Sequence, residues 1–337
     1  MDLGVLIDDF GFKLLAILSE VGPLHTNYVA SSSSIYLVLV MILIGAKHKT
    51  ADELSTLLKM NFSVLLPRTC VTKSEEEEIQ TLKDILIKLV KSSSEVSKIA
   101  NKIFVENELS KDYEIVIKSL LSTEVDKISF KNVEKACLVI NEWVKDQTEG
   151  RIEKILTTDD ISADTTYVVV NTIFFKSNWR RKFSAEITFQ DDFHVSSTET
   201  VKVMMMKGRG KQKALYWFSP EANYSVLMMP FESDHIYGVY VLPEKNNNVA
   251  DILTSIKGEH IRKWFIDSSE EELFIKVPRM KISKLFSIKD VLMKLGVVEV
   301  FEPNFADLSG ISKERSFLSN VFHSASIELD EEGVVAA

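Results

Sequence analysis

The sequence contains little cysteine and no long apolar segment. Only two cysteines occur among 337 residues, Cys70 and Cys137, so at most one disulfide could form, and their spacing does not decide whether they pair. The longest apolar run, Ile35–Ala46, falls short of the roughly 20 residues that a membrane-spanning helix requires. The run predicts a buried helix, and we expect no membrane partner.

The motifs that identify common enzyme classes are also missing. The chain has no Gly-x-Ser-x-Gly elbow, no His-Glu-x-x-His or Cys-x-x-Cys pair and no glycine-rich phosphate loop. Its six histidines show no spacing that would place metal ligands on one shared face. We therefore predict that the protein is not an enzyme and that it binds neither a metal nor a cofactor.

Basic residues are outnumbered, since 40 Lys and Arg stand against 49 Asp and Glu and give a net charge of −9. A surplus of negative charge repels polyanions, so nucleic acid is not an expected partner. The acidic run Ser74–Glu78 opens a predicted helix, where carboxylates complement the positive end of the helix dipole. We interpret this run as a well-capped, solvated helix start.

A secretory leader is not evident, because no basic-then-apolar segment with a small-residue cleavage site precedes the helical pattern at Asp8–Leu18. The chain therefore either lacks a signal peptide or is a mature form. Asn61 and Asn223 begin Asn-x-Ser triplets, which accept glycans in secreted proteins. We expect an extracellular protein, and the cytoplasm remains the alternative compartment.

The sequence does contain a mixture of helical and strand patterns. Helix spacing of apolar residues marks Ile35–Ile44 and Thr50–Leu58, the second with Thr50 as its expected cap. Tyr167–Lys176 is apolar on both faces, which is typical of a central strand. Such helices interleaved with antiparallel strands predict one α+β domain over residues 1–337.

The last seventeen residues are the most informative. Residues 321–330 alternate with period two, so that Val321, His323 and Leu329 would share one face of a strand. After the strand comes a hinge with permissive dihedrals at its glycine and only small or β-branched residues beyond it. Its residues are Glu331, Glu332, Gly333, Val334, Val335, Ala336 and Ala337. The residues after Gly333 could form either a loop or a strand.

Several stretches, in order along nearly the whole chain, resemble motifs of the serpin family of serine protease inhibitors. The stretch 321–337 is similar to the end of serpin strand 5A and the proximal hinge of the reactive loop. The other matching stretches are Gly45-Ala46 with Thr50–Leu54, Asn141–Val144 with Thr148–Ile152, Asn171–Lys176 with Trp179 and Phe183, and Phe301–Gly310. The resemblance implies the serpin fold, with a large, mostly antiparallel central sheet A, smaller sheets B and C, and about eight or nine helices.

The resemblance also implies two groups of site residues. In serpins, an asparagine and a histidine bridge strands 3A and 5A above two serines in a region called the shutter. The matching residues are Asn171, His323, Ser31 and Ser34, although Ser32 replaces the proline between the two serines. At the upper end of the sheet, the region called the breach, the resemblance implies Trp179 and an ion pair between Glu331 and Arg279.

The resemblance implies that the protein inhibits a serine protease, or a cysteine protease, as a suicide substrate that inserts its exposed reactive loop into sheet A. A non-inhibitory serpin acting as a carrier, chaperone or storage protein is the alternative. We expect a monomer, and no heparin activation, because the helix that is basic in heparin-dependent members begins here with Ser74–Glu78.

The sequence ends inside the hinge, so the scissile bond and the last strands of the family's fold are expected to lie outside it. The remainder is either a separate C-terminal fragment, which would then be a partner of this chain, or a segment absent from the sequence. Both alternatives stay open, and the identity of the scissile bond is unknown.

Overall fold

The computed structural model describes residues 2–22, 26–94, 97–196, 198–219, 221–244 and 247–337. Nine α-helices lie within these ranges: α1 Leu3–Val21, α2 Ser32–Gly45, α3 His48–Leu58, α4 Lys73–Ser94, α5 Lys111–Leu121, α6 Val133–Gln147, α7 Val249–Ser255, α8 Gly258–Asp267 and α9 Lys289–Lys294. The count and the mixture with strands confirm the predicted α+β class.

The same ranges contain thirteen strands in three sheets. They are β1 Lys98–Val105, β2 Thr123–Lys127, β3 Tyr167–Asn178, β4 Phe189–His194, β5 Thr200–Lys207, β6 Gln212–Ser219, β7 Tyr224–Pro230, β8 Tyr237–Pro243, β9 Ser269–Leu273, β10 Lys276–Pro278, β11 Met280–Ser287, β12 Phe322–Leu329 and β13 Gly333–Ala336. The largest sheet has the order β11-β12-β13-β3-β1-β2, and only its β1–β2 pair is parallel. The smaller sheets have the orders β10-β5-β4 and β8-β7-β6-β9.

The six-stranded sheet is covered on both faces. Helix α2 lies behind one face and is buried nearly all round from Ile35 onward, as its apolar run predicts. Helix α6 covers the other face, where Ile140 and Val144 pack against Phe104 of β1 and Val170 of β3. The long strand β3 is therefore apolar on both sides because each side meets a helix.

The predicted cap of the third helix was wrong. Helix α3 begins at His48, with Lys47 as its N-cap residue, and Thr50 is fully buried in its first turn. The Thr50 hydroxyl donates to a Glu299 carboxylate oxygen at 2.9 Å and accepts from the Asp307 N–H at 3.0 Å. It ties the helix to the 299–307 segment instead of closing the helix's own end.

The two cysteines do not pair. Cys70 is exposed and Cys137 is buried, and both are free thiols. None of the described helices is both long enough and apolar enough to span a bilayer.

Candidate functional site

The hinge after β12 folds into a tight turn. A side-chain oxygen of Asp330 accepts from the backbone N–H groups of Glu332 at 2.9 Å and of Gly333 at 3.1 Å. The Asp330 N–H in turn donates to the Gly333 carbonyl at 3.0 Å. These bonds reverse the chain within three residues, and β13 runs back beside β12.

The hinge residues form a strand in the sheet, whereas the resemblance implied the start of an exposed loop. Strand β13 pairs antiparallel with both β12 and β3, and its Val334 lies opposite Leu329 on one side and Ser177 on the other. Ala337 continues the ladder, because it exchanges backbone hydrogen bonds of 2.5 and 2.8 Å with Ser326. Small, uncharged side chains allow this entry because they fit a pleated surface on either face.

Gly333 is required by close approach of the neighbouring strand. A Cβ atom added at this position would lie 2.1 Å from the Ser177 carbonyl oxygen and 2.6 Å from the Asn178 Cα. Both are backbone atoms of β3, which cannot move aside as a flexible side chain could. Glycine is therefore needed at position 333 so that β13 can pack against β3, and not only so that the hinge can bend.

Trp179 anchors the upper end of the sheet, where the resemblance placed the breach. Its fully buried ring stacks on Phe231 with centroids 4.3 Å apart, and its indole N–H donates to the Asp330 carbonyl at 3.0 Å. Its backbone N–H donates to the Glu332 carbonyl at 2.9 Å. One side chain thus joins the end of β3 to the hinge turn.

Glu331 is buried beside the same turn. Its carboxylate accepts from the Thr188 hydroxyl at 2.6 Å and lies 3.7 Å from an Arg279 guanidinium nitrogen. The ion pair inferred from the resemblance is therefore present, but Thr188, which the sequence did not suggest, makes the shorter contact. A half-exposed arginine at this distance contributes little energy of its own.

The four shutter residues meet behind the sheet. The Ser34 hydroxyl donates to the Asn171 side-chain oxygen, and the Ser31 N–H donates to the His323 Nε2 at 3.0 Å. The Ser31 hydroxyl accepts from the Ser34 N–H at 3.2 Å and caps α2. Helix α2 therefore holds one residue from β3 and one from β12.

The direct bridge between Asn171 and His323 that the resemblance implied is not formed, because β13 enters between their strands and holds them apart. Asn171 instead donates to the Asn101 side-chain oxygen at 2.6 Å, and Asn101 donates to the Leu121 carbonyl at 2.7 Å. Asn101 is buried on β1 and was missed in the sequence. The polar pair Asn101-Lys102 within the otherwise apolar stretch Ile99–Val105 was the signal that could have revealed it.

His323 is neutral in the folded protein. Burial lowers its pKa from 6.5 to about 4, since no carboxylate compensates for the lost solvation of an imidazolium. The Ser31 N–H requires an unprotonated Nε2, and the apolar ring of Phe286 lies against the imidazole with ring centroids 5.7 Å apart. Protonation would remove this hydrogen bond and leave a buried charge.

Acid should therefore destabilise the fold through His323. In the unfolded chain the histidine has a pKa of 6.5, so below this pH the unfolded chain binds a proton that the folded chain does not bind. The free energy of unfolding therefore falls between pH 6.5 and about 4. The full difference is about 3 kcal/mol at 1.36 kcal/mol per pKa unit. Urea unfolding of the protein and of His323→Gln at pH 7 and pH 4.5 measures it, and we expect the variant to lose less stability on acidification.

Asp8 provides the internal control for that experiment. Burial, followed by the charges of Asp9 and Asp2, raises the pKa of Asp8 to about 6, so this residue adds stability as the pH falls. Asp8→Asn should consequently steepen the loss of stability on acidification, opposite to His323→Gln. Equal pH dependence in the protein and in His323→Gln would contradict the assignment to His323.

A gap continues below the inserted strand. Beyond Ala337, no hydrogen-bonded ladder joins β3 to β12 among the described residues, because β13 separates the two strands in the sheet order. Three cavities, of about 160, 20 and 20 Å³, lie between residues Tyr167–Ile173 of β3 and residues Val321–Ala325 at β12. Strands β12 and β3 are thus already separated, and the hinge strand β13 fills the upper part of the space between them.

The remaining predicted sites are on the surface. Asn61 and Asn223 are both exposed, and Asn223 has a φ of +60° in the turn before β7. The acidic run lies in the first turns of α4, where the Glu75 carboxylate accepts from the Thr72 N–H at 2.8 Å, a bond that lowers the pKa of Glu75. Glycosylation and the absence of heparin activation stay predictions.

Comparisons of the family pattern, the sequence and the structure with those of known proteins all indicate the same family. A family model described as serpin (serine protease inhibitor) matches residues 6–337. Human antithrombin-III is 30% identical over 93% of this chain and 67% of its own length. Leukocyte elastase inhibitor of Xenopus tropicalis is 30% identical over 97% of this chain and 86% of its own. The crystal structure of reactive-loop-cleaved human thyroxine binding globulin is similar with a TM-score of 0.85, 26% identity, and coverage of 98% of this chain and 94% of that one.

Proposed function

The chain belongs to the serpin family of protease inhibitors, which are not enzymes although some members have lost inhibition, and on that premise we propose that it inhibits a serine-type endopeptidase as a suicide substrate. The protease would attack the reactive loop, and its serine oxygen would form an ester with the scissile carbonyl while the amine of the following residue leaves. Insertion of the loop into the six-stranded sheet would then carry the acylated protease away and distort its active site.

The entry of the hinge into the sheet is the observation that supports this proposal most strongly. Strand β13 pairs on both sides through residues 333–336, and the gap continues past Ala337 between β3 and β12. A sheet that accepts one end of a segment in this way offers backbone partners to the residues beyond that end. The names of two relatives, antithrombin-III and leukocyte elastase inhibitor, point in the same direction.

Insertion can supply the energy that this mechanism needs. Each backbone hydrogen bond contributes about 1 kcal/mol net, so about ten new bonds give on the order of 10 kcal/mol before apolar burial is counted. A protein that stores such an amount must be held by an unfolding barrier and not by equilibrium. The parted sheet beyond Ala337 is where this energy would be released.

The test is incubation of the protein, purified from its natural source, with trypsin-like, chymotrypsin-like and elastase-like serine proteases and with a papain-like cysteine protease. We expect one of them to form a complex that survives boiling in SDS and to lose its activity in proportion. The catalytically inactive serine-to-alanine form of that protease is the control, since it binds without forming an ester. Cleavage of the loop with full recovery of protease activity would contradict the proposal.

The second candidate is a non-inhibitory serpin that acts as a carrier. One observation favours it, namely the structural similarity to a protein named for binding thyroxine. The hinge does not favour it, because Val334 and Val335 are β-branched and uncharged and both already lie in a strand. The same incubation separates the two functions.

We further infer a monomeric, extracellular protein, which mass photometry and detection in conditioned medium would test.

A further inference from the structure

One hydroxyl group beside the gap has no hydrogen-bond partner among the described residues. The Thr172 Oγ1 is buried and forms no hydrogen bond with any residue that the structure describes. Thr172 lies on β3 on the same face as Val170, which packs against α6. It borders the small cavity of about 20 Å³ that begins at Ala337. A buried polar group of this kind is exceptional, since most find a partner.

The register of β13 shows what would face this hydroxyl. Ala336 lies opposite Phe175 of β3 and Ile327 of β12. In an extended segment that enters the gap after Ala337, the first residue would therefore lie opposite Ile173 and Ala325, and the second opposite Thr172 and Ser324. Ala337 packs on the α6 side, so the second residue after it points to that side too.

The position between Thr172 and Ser324 is thus flanked by hydroxyl groups on both neighbouring strands. Ser324 shares its face with Phe322, which packs against the α6 cluster, and both hydroxyl-bearing residues border the same cavity. Directly opposed side chains in antiparallel strands have Cβ atoms about 5 Å apart, close enough for hydroxyl groups to bond to each other.

We propose that the gap selects a serine or threonine as the second residue after Ala337 in the segment that enters it, and that Thr172 is the residue that makes this selection. The inference rests on the proposed function, because it concerns the segment that this function inserts. A hydroxyl at that position can both donate to and accept from Thr172. An apolar residue would seal the Thr172 hydroxyl in the sheet without a partner.

The walls of the gap set the second part of the selection. Val144 and Ile152 bound the cavity on the α6 side, so a short side chain fits beneath them better than a long one. Serine and threonine are both short and polar, whereas valine is short and apolar. Valine is therefore the matched apolar probe for threonine, since the two have nearly the same shape.

The test appends Ala-Thr-Ala-Leu or Ala-Val-Ala-Leu to Ala337, so that β13 fixes the register, and measures hydrogen exchange of the appended amides. We expect protection to be about three- to tenfold greater with Thr than with Val, because the Thr extension gains one net hydrogen bond. In Thr172→Val the difference should become much smaller, because valine then buries no unpartnered hydroxyl and only Ser324 still offers a hydroxyl group to the appended Thr. Thr172→Ser, which keeps the hydroxyl, should retain the preference.

The possible outcomes distinguish a failure of this inference from a failure of the proposed function on which it rests. If neither extension is protected, no segment enters the gap and the insertion mechanism itself fails. If both are protected equally in the unmodified chain, insertion stands and the selection by Thr172 is wrong. Should Thr172→Val not fold, Ser324→Ala tests the opposite wall, and an undiminished preference there assigns the selection to Thr172 alone.

Discussion

Under the proposed mechanism of inhibition, replacing Val334 by arginine is expected to convert the protein from an inhibitor of its target protease into a substrate. Val334 is 6% exposed and packs in the cluster that contains Trp179 and Leu329. An arginine there would have to bury an unpaired charge, which costs several kcal/mol, or leave the sheet and take β13 with it. We expect formation of the SDS-stable protease complex to fall at least tenfold, while cleavage of the loop continues.

Val335→Arg is the matched control for that experiment. Val335 is only partly buried and lies between Glu328 of β12 and the exposed Lys176 of β3. The same charge would therefore reach solvent and have one carboxylate and one ammonium group beside it. Complex formation should stay within about threefold of the unmodified protein, a range that corresponds to less than about 0.7 kcal/mol. Equal losses in both variants would show that charge in the hinge matters and position does not, contrary to the structure.

Truncating Trp179 to alanine is expected to have the largest effect on stability. The ring is fully buried, stacks on Phe231 and bonds to the Asp330 carbonyl. Removing a buried tryptophan costs about 3–5 kcal/mol, and the Asp330 carbonyl additionally loses its donor. Urea unfolding at pH 7, followed by circular dichroism because the tryptophan signal itself is changed, measures the loss.

Trp179→Phe separates the two contributions. Phenylalanine keeps an aromatic ring against Phe231 and removes the indole N–H, so the loss should be clearly smaller than that of alanine. If the hinge turn depends on that N–H, the amides of Glu332 and Gly333 should exchange faster in this variant as well. A destabilisation below about 1 kcal/mol in Trp179→Ala would contradict the anchoring role given to this residue.

The strands and the site region could be predicted from the sequence where the pattern is local. The alternation of residues 321–330 predicted β12 and its faces, and the apolar run of residues 167–176 predicted a central strand. Both patterns arise because each strand meets a helix or a core on a known side. The motif blocks added the order of elements and the approximate place of Trp179, Asn171 and His323.

The contacts that depend on pairing between distant segments could not be predicted. The hinge sequence fits a loop as well as a strand, and only the separation of β3 and β12 decides that it becomes β13. The same separation explains why Asn171 bonds to Asn101 and not to His323. Thr50 was assigned to a cap because its partners, Glu299 and Asp307, lie about 250 residues away in sequence.

The entry of the hinge into the largest sheet is the claim on which the other inferences depend, and hydrogen exchange of residues 333–337 tests it most directly. Hydrogen exchange is followed by mass spectrometry with fragmentation of the peptides, which resolves the individual amides of these residues in the unmodified chain. Protection comparable to that of β12 is the predicted result, because β13 bonds to strands on both sides. Exchange of the amides of Val334, Val335 and Ala336 at the rate of an unstructured peptide would contradict the account.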